Sequence, residues 1–223
     1  MIQLGQQHIP LRTVLIADDH YILREGFKQF IGSTGEFIVT AEAETGQHAI
    51  HHVRDKHFDL VMLDISLPDR NGIDILKQIK KEAPSLPVLI LSLHPEDHYA
   101  MRALRAGAAG YLHKKSSPAE LLEAMRIAAN GLKYITSSLA QELAEYMSKN
   151  RAPARHAELS DREFQTLVMI GSGNTVTEIA NKLSLSVKTI SMYRSRLLQK
   201  MSLRNNAELT HYALRHELVS DLC

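Results

Sequence analysis

The 223-residue sequence predicts two domains: a doubly wound α/β domain with a five-stranded parallel sheet, followed by a small all-helical domain. In the first half of the chain, short apolar runs alternate with segments of helical period. From Leu159 onward, the apolar pattern is exclusively helical. Between these parts, residues 149–155 contain a proline and show no apolar period, which is typical of a flexible tether.

Five apolar runs are the predicted strands of the first domain, and the last of them is the weakest. They are residues 14–17, 37–39, 60–63, 88–91 and 110–112. Runs that are apolar on both faces are typical of a parallel sheet covered by helices on each side. Helical spacing between the runs, as at Leu23, Phe27 and Ile31, predicts the covering helices. We therefore assign residues 12–133 to this domain.

A linker with one short amphipathic helix is predicted over residues 134–155, and the helical domain over 156–223. Ser160–Glu163 and Thr175–Glu178 have the form of capping boxes that open its first two helices. A three-residue turn, 184–186, leads to a third helix over 187–201, and a fourth starts near residue 207. Two helices joined by so short a turn predict a helix-turn-helix.

The charge distribution points to a polyanionic partner, although the net charge is only +1. Residues 1–133 carry 15 Lys and Arg against 16 Asp and Glu, whereas residues 182–204 carry six basic residues and no acidic one. The alternative is a solvated helix face. No membrane-spanning run or signal peptide is evident, and the single cysteine, Cys223, has no partner for a disulfide. We expect a cytoplasmic protein.

Acidic and polar residues follow the predicted strands of the first domain. Asp18 and Asp19 follow the first strand and Asp64 the third, while Ser92 ends the fourth and Lys114 follows the fifth. Because parallel strands end at one edge, where ligands bind in such sheets, we expect these side chains to converge there. Three converging carboxylates need a cation, and an all-oxygen cluster favours a hard one such as Mg²⁺.

This pattern, with Pro68, Gly72 and the segment 110–114, resembles the signature of receiver domains, whose sheet has the flavodoxin-like strand order. Residues 159–213 resemble the LuxR-type helix-turn-helix, and the combination is similar to the NarL/FixJ class of two-component response regulators. The resemblance implies that Asp64 is the phosphoacceptor. It implies further site residues: Asp18, Asp19, Asp64 and the Ser66 backbone carbonyl for the metal, Lys114 for the phosphoryl oxygens, and Ser92 with Tyr111 as a switch pair.

The third helix of the second domain has two distinct faces. Ile190, Leu197 and Met201 share an inward face with Tyr193. We predict that the opposite face binds DNA through Lys188, Thr189, Ser191, Met192, Ser195, Arg196, Gln199 and Lys200. Within that set, the serines and Met192 are predicted to meet base edges, and the three cations to contact phosphates. The alternative is plain solvation of these side chains.

These interpretations describe a phosphorylation-controlled transcriptional regulator. Its expected partners are a sensor histidine kinase, duplex promoter DNA and, as a further candidate, RNA polymerase; no membrane partner is expected. Phosphorylation is expected to promote a homodimer, for which Leu209, Tyr212, Ala213 and Leu218 offer apolar contacts unless they complete the domain's core.

Two other functions compete with this interpretation. A phosphatase that uses paired aspartates would need further acid–base residues, and no surplus is found. A module whose helical domain binds protein or RNA is the second alternative. We expect no enzyme activity apart from the receiver's assistance to its own aspartyl phosphorylation and dephosphorylation.

Overall fold

A computed structural model describes residues 11–93, 96–148, 155–216 and 218–219. Five strands and five helices alternate in its first part. The strands are β1 (Arg12–Ala17), β2 (Phe37–Ala43), β3 (Leu60–Asp64), β4 (Val88–Ser92) and β5 (Gly110–His113). The helices are α1 (Tyr21–Ser33), α2 (Gly46–Asp55), α3 (Gly72–Glu82), α4 (Glu96–Arg105) and α5 (Pro118–Ala129).

The strands form one parallel sheet in the order β2-β1-β3-β4-β5. Every residue of β3 and β4 is buried, as the unbroken apolar runs predicted. Side chains of β1, β3 and β4 point alternately into two apolar clusters, one under α1 and α5 and the other under α2, α3 and α4. The predicted fold class and the flavodoxin-like strand order are confirmed.

The second part of the chain is helical throughout its described residues. Its elements are α6 (Ser137–Ser148), a 3₁₀ turn (Arg155–Glu158), α7 (Asp161–Gly171), α8 (Val176–Lys182), α9 (Val187–Met201) and α10 (Asn206–Arg215). Both predicted capping boxes are present at the starts of α7 and α8. The third predicted helix has the expected bounds. The predicted tether lies mostly outside the described residues, as does Cys223.

The linker helix α6 and the helical domain both contact the receiver-like part. α6 packs against α4, and its Leu139 is buried. Asp161, at the start of α7, pairs with Lys77 of α3 at 2.7 Å and with Arg102 of α4 at 3.2 Å. The Arg102 guanidinium also lies 4.2 Å from the centre of the Phe164 ring, which Tyr99 contacts edge-on. The first turn of α7 therefore fixes the helical domain to α3 and α4.

Within the described ranges, no helix is long and apolar enough to cross a membrane.

Candidate functional site

The predicted acidic cluster forms at the carboxyl edge of the sheet. Asp18 directly follows β1 and Asp64 ends β3, and both side chains are buried. β1 pairs with β3 in parallel register, so the two carboxylates lie side by side. Asp19 is more accessible, with 35% of its side chain exposed. The fold therefore gives the cluster two buried carboxylates and one on the solvent side.

Lys114 completes this edge from the other side. Its Nζ lies 2.7 Å from Asp18 Oδ2 and 2.8 Å from Asp64 Oδ2, and only 2% of its side chain is exposed. The position follows from strand pairing, because the Lys114 backbone N–H donates to the Ser92 carbonyl at 2.7 Å. Those two carboxylate oxygens accept no further hydrogen bond from described residues. One ammonium thus bridges two buried carboxylates.

Charge and burial oppose each other at Asp64. Burial raises the pKa of Asp64, Lys114 lowers it, and the neighbouring Asp18 raises it again, with a net upward shift. One ligand atom each from Asp18, Asp19, His20 and Asp64 lies within 4.8 Å of the others. The carboxylate oxygens suit a hard divalent cation, which would offset the mutual repulsion that Lys114 alone only partly neutralises.

Glycine at position 72 lets α3 approach the phosphoacceptor candidate closely. A Cβ placed there would lie 2.5 Å from the Asp64 carbonyl oxygen and 2.6 Å from Ile65 Cα. The Gly72 N–H donates to the Ile65 carbonyl at 2.8 Å. The glycine in the sequence pattern therefore has a steric reason, since any side chain would push α3 away from Asp64.

The remaining predicted receiver residues occupy the same region. Ser92 ends β4 next to β5, and Tyr111 lies within β5; both are buried. The Ser66 backbone N–H donates to Asp64 Oδ1 at 3.1 Å, so the backbone of Ser66 lies directly beside the carboxylate of the phosphoacceptor candidate. A metal contact by the Ser66 carbonyl stays a prediction.

Two residues near the site were not assigned a role from the sequence. His20 Nδ1 lies 2.8 Å from Asp19 Oδ1 and 3.2 Å from Asp18 Oδ1. Arg24 is buried on α1 and donates to the Asp18 carbonyl at 2.7 Å. A signal for Arg24 was available, because it shares the inward helical spacing of Phe27 and Ile31 although it is charged.

The outer face of α9 is the second candidate site. Its inner residues Ile190, Leu197 and Met201 are buried, as predicted. Seven of the eight predicted DNA-binding residues are exposed: Lys188, Ser191, Met192, Ser195, Arg196, Gln199 and Lys200. Thr189 differs, because it is half-buried and its hydroxyl lies 2.8 Å from that of Ser186, the residue that caps α9. Its position favours a capping role over base contact.

The six cations between residues 182 and 204 fall into two groups. Four of them contact polar side chains of the same domain. These pairs are Lys182 with Asn174, Arg194 with Asn206, Lys200 with Glu163 and Arg204 with Glu208. Lys188 and Arg196 make no hydrogen bond or ion pair with any described residue. Lys200 is therefore a weaker phosphate-contact candidate than predicted, since its ammonium lies 2.7 Å from the Glu163 carboxylate.

The apolar residues considered for a dimer contact lie mostly in the core. Leu209, Ala213 and Leu218 are buried within the helical domain, and only Tyr212 is partly exposed. The alternative interpretation, completion of a small core, is correct for the three buried residues.

Comparison with known families agrees with this geometry in both parts of the chain. The model of response regulator receiver domains matches residues 14–126. The model of bacterial regulatory proteins of the luxR family matches residues 157–213. These matches cover the acidic edge of the sheet and the helix-turn-helix, respectively.

Similar proteins extend over nearly the whole chain. Response regulator UvrY of Escherichia coli K12 is 34% identical over 207 residues, which cover 92% of this chain and 95% of that protein. Response regulator GacA of Pseudomonas aeruginosa is 32% identical over 210 residues, covering 92% and 97%.

Solved structures of RcsB, one of them from Salmonella enterica serovar Typhimurium, are also similar. One, bound to promoter rprA in the presence of phosphomimetic BeF3⁻, has a TM-score of 0.63 and 27% identity and covers 91% of this chain and 98% of its own. Another contains two RcsB dimers on two parallel DNAs, with a TM-score of 0.58 and 28% identity over 91% and 98%. This chain therefore belongs to the response regulators of the NarL/FixJ class, which join a receiver domain to a LuxR-type helix-turn-helix domain.

Proposed function

We propose that Asp64 accepts the phosphoryl group by which this response regulator controls transcription. The observation that supports Asp64 most directly is the bridge of Lys114 between two buried carboxylates. A carboxylate oxygen of Asp64 forms the new bond to phosphorus, and the bond to the donor's leaving group breaks. Negative charge then accumulates beside Asp18, and the Lys114 ammonium, already 2.8 Å from Asp64 Oδ2, stabilises it.

Asp18, Asp19, Asp64 and the Ser66 carbonyl are the proposed ligands of Mg²⁺ at this edge. The fit rests on the oxygen donors and on the ligand atoms that lie within 4.8 Å of one another. When bound, Mg²⁺ supplies positive charge that permits an anionic donor to approach Asp64. The His20 ring and the Lys114 ammonium lie beside the carboxylates, so the chain itself places two further polar groups at the site.

Ser92 and Tyr111 are the proposed switch residues. Ser92 ends β4, immediately before the segment that leads to α4, and Tyr111 is buried in the neighbouring strand. A Ser92 hydroxyl that donates to the new phosphoryl group would draw the end of β4 toward Asp64. Since α4 contacts the helical domain through Arg102, a shift of α4 reaches that domain directly.

The outer face of α9 is the proposed surface for duplex DNA. Ser191, Met192 and Ser195 present short or uncharged side chains for base edges, and Lys188 and Arg196 are available for phosphates. The RcsB complex with promoter DNA supports this role by analogy. Thr189, Gln199 and Lys200 border the surface and complete the proposed set.

We further propose that the protein is cytoplasmic. Its receiver domain spans residues 12–133, its linker 134–155 and its helix-turn-helix domain 156–223. A sensor histidine kinase, or a low-molecular-weight phosphodonor, supplies the phosphoryl group. The phosphorylated chain forms a homodimer on promoter DNA, where RNA polymerase is a further partner. The RcsB dimers on DNA support the dimer by analogy. The receiver assists only its own phosphorylation and dephosphorylation.

Phosphorylation by acetyl phosphate tests the assignment of Asp64. With magnesium, the wild-type chain is expected to gain one hydroxylamine-labile phosphoryl group, whereas without magnesium it gains none. Asp64→Asn should gain none under either condition. Asp55→Asn is the matched control, because Asp55 lies exposed at the end of α2, where it pairs with His51. Equal incorporation by Asp64→Asn and the wild type would refute the assignment.

A further inference from the structure

We propose that Arg24 is a positioning residue that fixes the backbone of Asp18 and thereby sets the geometry of the acidic edge. This inference rests on the proposed function, since it concerns the affinity of the same edge for its cation. Arg24 lies in the first turn of α1, and 4% of its side chain is exposed. A buried guanidinium is costly without partners, so its contacts indicate what it does.

The guanidinium makes three bonds that join three segments. Its Nη1 donates to the Asp18 carbonyl at 2.7 Å. Its Nε and Nη2 donate to Glu42 at 3.3 Å and to Glu44 at 2.7 Å. The two glutamates compensate the charge of the guanidinium from the end of β2, and the Tyr21 ring covers it at 5.8 Å. The third donor is thus directed at the turn that carries the metal-ligand candidates.

The Asp18 peptide is consequently held on both sides. Its N–H donates to the Ala43 carbonyl of β2 at 3.0 Å, and its carbonyl accepts from Arg24. Asp18 Oδ1 in turn accepts from the His20 N–H at 2.9 Å. The side chain therefore has little freedom to rotate away from Lys114 and Asp64. Removal of the Arg24 bond would leave the Asp18 carbonyl, next to a buried carboxylate, without this donor.

Local helix energetics do not explain an arginine at this position. A cation in the first turn opposes the helix macrodipole, and α1 has no acidic residue in that turn. The contacts with Asp18 and the glutamates must therefore account for the arginine. A simple tie between α1 and β2 would need only the glutamate bonds, and the bond to Glu42 can be changed separately from the bond to Asp18.

Magnesium titration of the full chain, followed by amide NMR signals of Asp18 and Asp19, tests this role. Arg24→Gln should raise the Mg²⁺ dissociation constant by about tenfold, which is a common result when a residue that hydrogen-bonds to a metal ligand is replaced. It should also shift the Asp19 and His20 amides without metal. Arg24→Lys keeps one cationic donor and should restore part of the affinity. Circular dichroism must show that each variant is folded at the temperature used.

Two control variants separate positioning from stability. Arg54→Gln removes an exposed arginine that also makes two bonds to one glutamate, Glu82, far from the site. Glu42→Gln removes the negative charge on β2 that faces Arg24 and Lys28 but keeps the donor to Asp18. Both are expected to keep the wild-type Mg²⁺ affinity, although Glu42→Gln should lower the melting temperature. Equal loss of affinity in Glu42→Gln and Arg24→Gln would overturn the proposal.

Unchanged Mg²⁺ affinity in folded Arg24→Gln would also overturn the positioning role while leaving the phosphoacceptor assignment intact. Failure of the wild-type chain to bind Mg²⁺ at Asp18 and Asp19 would instead overturn both. Should Arg24→Gln not fold, the wild type still decides: the Arg24 Nη signals should shift on Mg²⁺ saturation and those of Arg54 should not. The absence of a shift at Arg24 would contradict the proposal.

Discussion

The acidic edge of the receiver sheet and the outer face of α9 differ in how far the protein itself satisfies their charges. At the edge, Asp18, Asp64 and Lys114 are buried and already in contact. On α9, Lys188 and Arg196 are exposed and contact no described polar group. The charges of the first site are compensated largely within the chain, whereas the two cations of the second are left for a partner such as DNA.

This difference predicts different responses to substitution. Removal of one member of a buried ion pair leaves the other charge buried and unpaired, so the effect of the substitution is large. An exposed cation contributes one phosphate contact among several, and its loss is graded. Substitutions at the edge should therefore nearly abolish phosphorylation, and substitutions on α9 should change DNA affinity by small steps.

Lys114→Met should slow phosphorylation by acetyl phosphate by roughly 100-fold or more, because a preorganised positive group beside the transferred phosphoryl is removed. Lys115→Met is the matched control, since Lys115 is adjacent in sequence but exposed. Initial rates of incorporation at saturating magnesium measure the effect. A Lys114→Met rate close to that of Lys115→Met would show that the bridge is not part of the reaction.

Arg196→Ala should weaken binding to all duplexes about equally and lower the log–log salt slope by roughly 0.9. Lys200→Ala should change the slope less, because Lys200 already pairs with Glu163. Fluorescence anisotropy with a selected and a scrambled duplex at several salt concentrations provides both slopes. Equal slope changes in the two variants would mean that the Glu163 pair opens on DNA.

Met192→Ala should change the preference between sites by roughly 1 kcal/mol per affected base pair and leave the salt slope nearly unchanged. The physical reason is that Met192, 42% exposed on the outer face, can offer only apolar contact to base edges. The same anisotropy series measures it. An equal loss of affinity for the selected and scrambled duplexes would place Met192 outside the base-reading set.

Arg102→Ala should have the smallest effect on DNA binding by the unphosphorylated chain. It removes the contacts of Arg102 with Asp161 and Phe164, so the two domains should be held together less firmly and the radius of gyration measured by X-ray scattering should increase. Because the α9 outer face is already exposed, affinity for a single half-site should stay within about twofold. A large gain in affinity would indicate that the docked receiver obstructs α9.

The parallel sheet and its site could be predicted from the sequence because burial leaves a strong pattern. Unbroken apolar runs fixed the strands, and strand ends placed Asp18, Asp64 and Lys114 at one edge. Arg24 was missed because the pattern treats charged residues as exposed, and because its partners lie at the ends of β1 and β2, away from its own helix. Contacts between segments that are distant in sequence have no local signature.

The DNA-binding face was predicted less completely for the same reason. Helical period identified the inner and outer faces of α9, and all three predicted inner aliphatic residues are buried. The period could not reveal that Glu163, in the capping box of α7, pairs with Lys200. Nor could it show that the first turn of α7 contacts α3 and α4, because these contacts join segments that are distant in sequence and combine ion pairs with the Tyr99–Phe164 ring contact.

Control of DNA binding by phosphorylation of Asp64 is tested by the DNA affinity of the full chain, measured with and without acetyl phosphate and magnesium. The duplex is one selected by the wild-type chain from a random pool, and the comparison variant is Asp64→Asn. We expect phosphorylation to raise the affinity of the wild type by about tenfold, within the usual range of coupling between sites, and to leave Asp64→Asn unchanged. An equal rise in Asp64→Asn, or none in a phosphorylated wild type, would contradict the account.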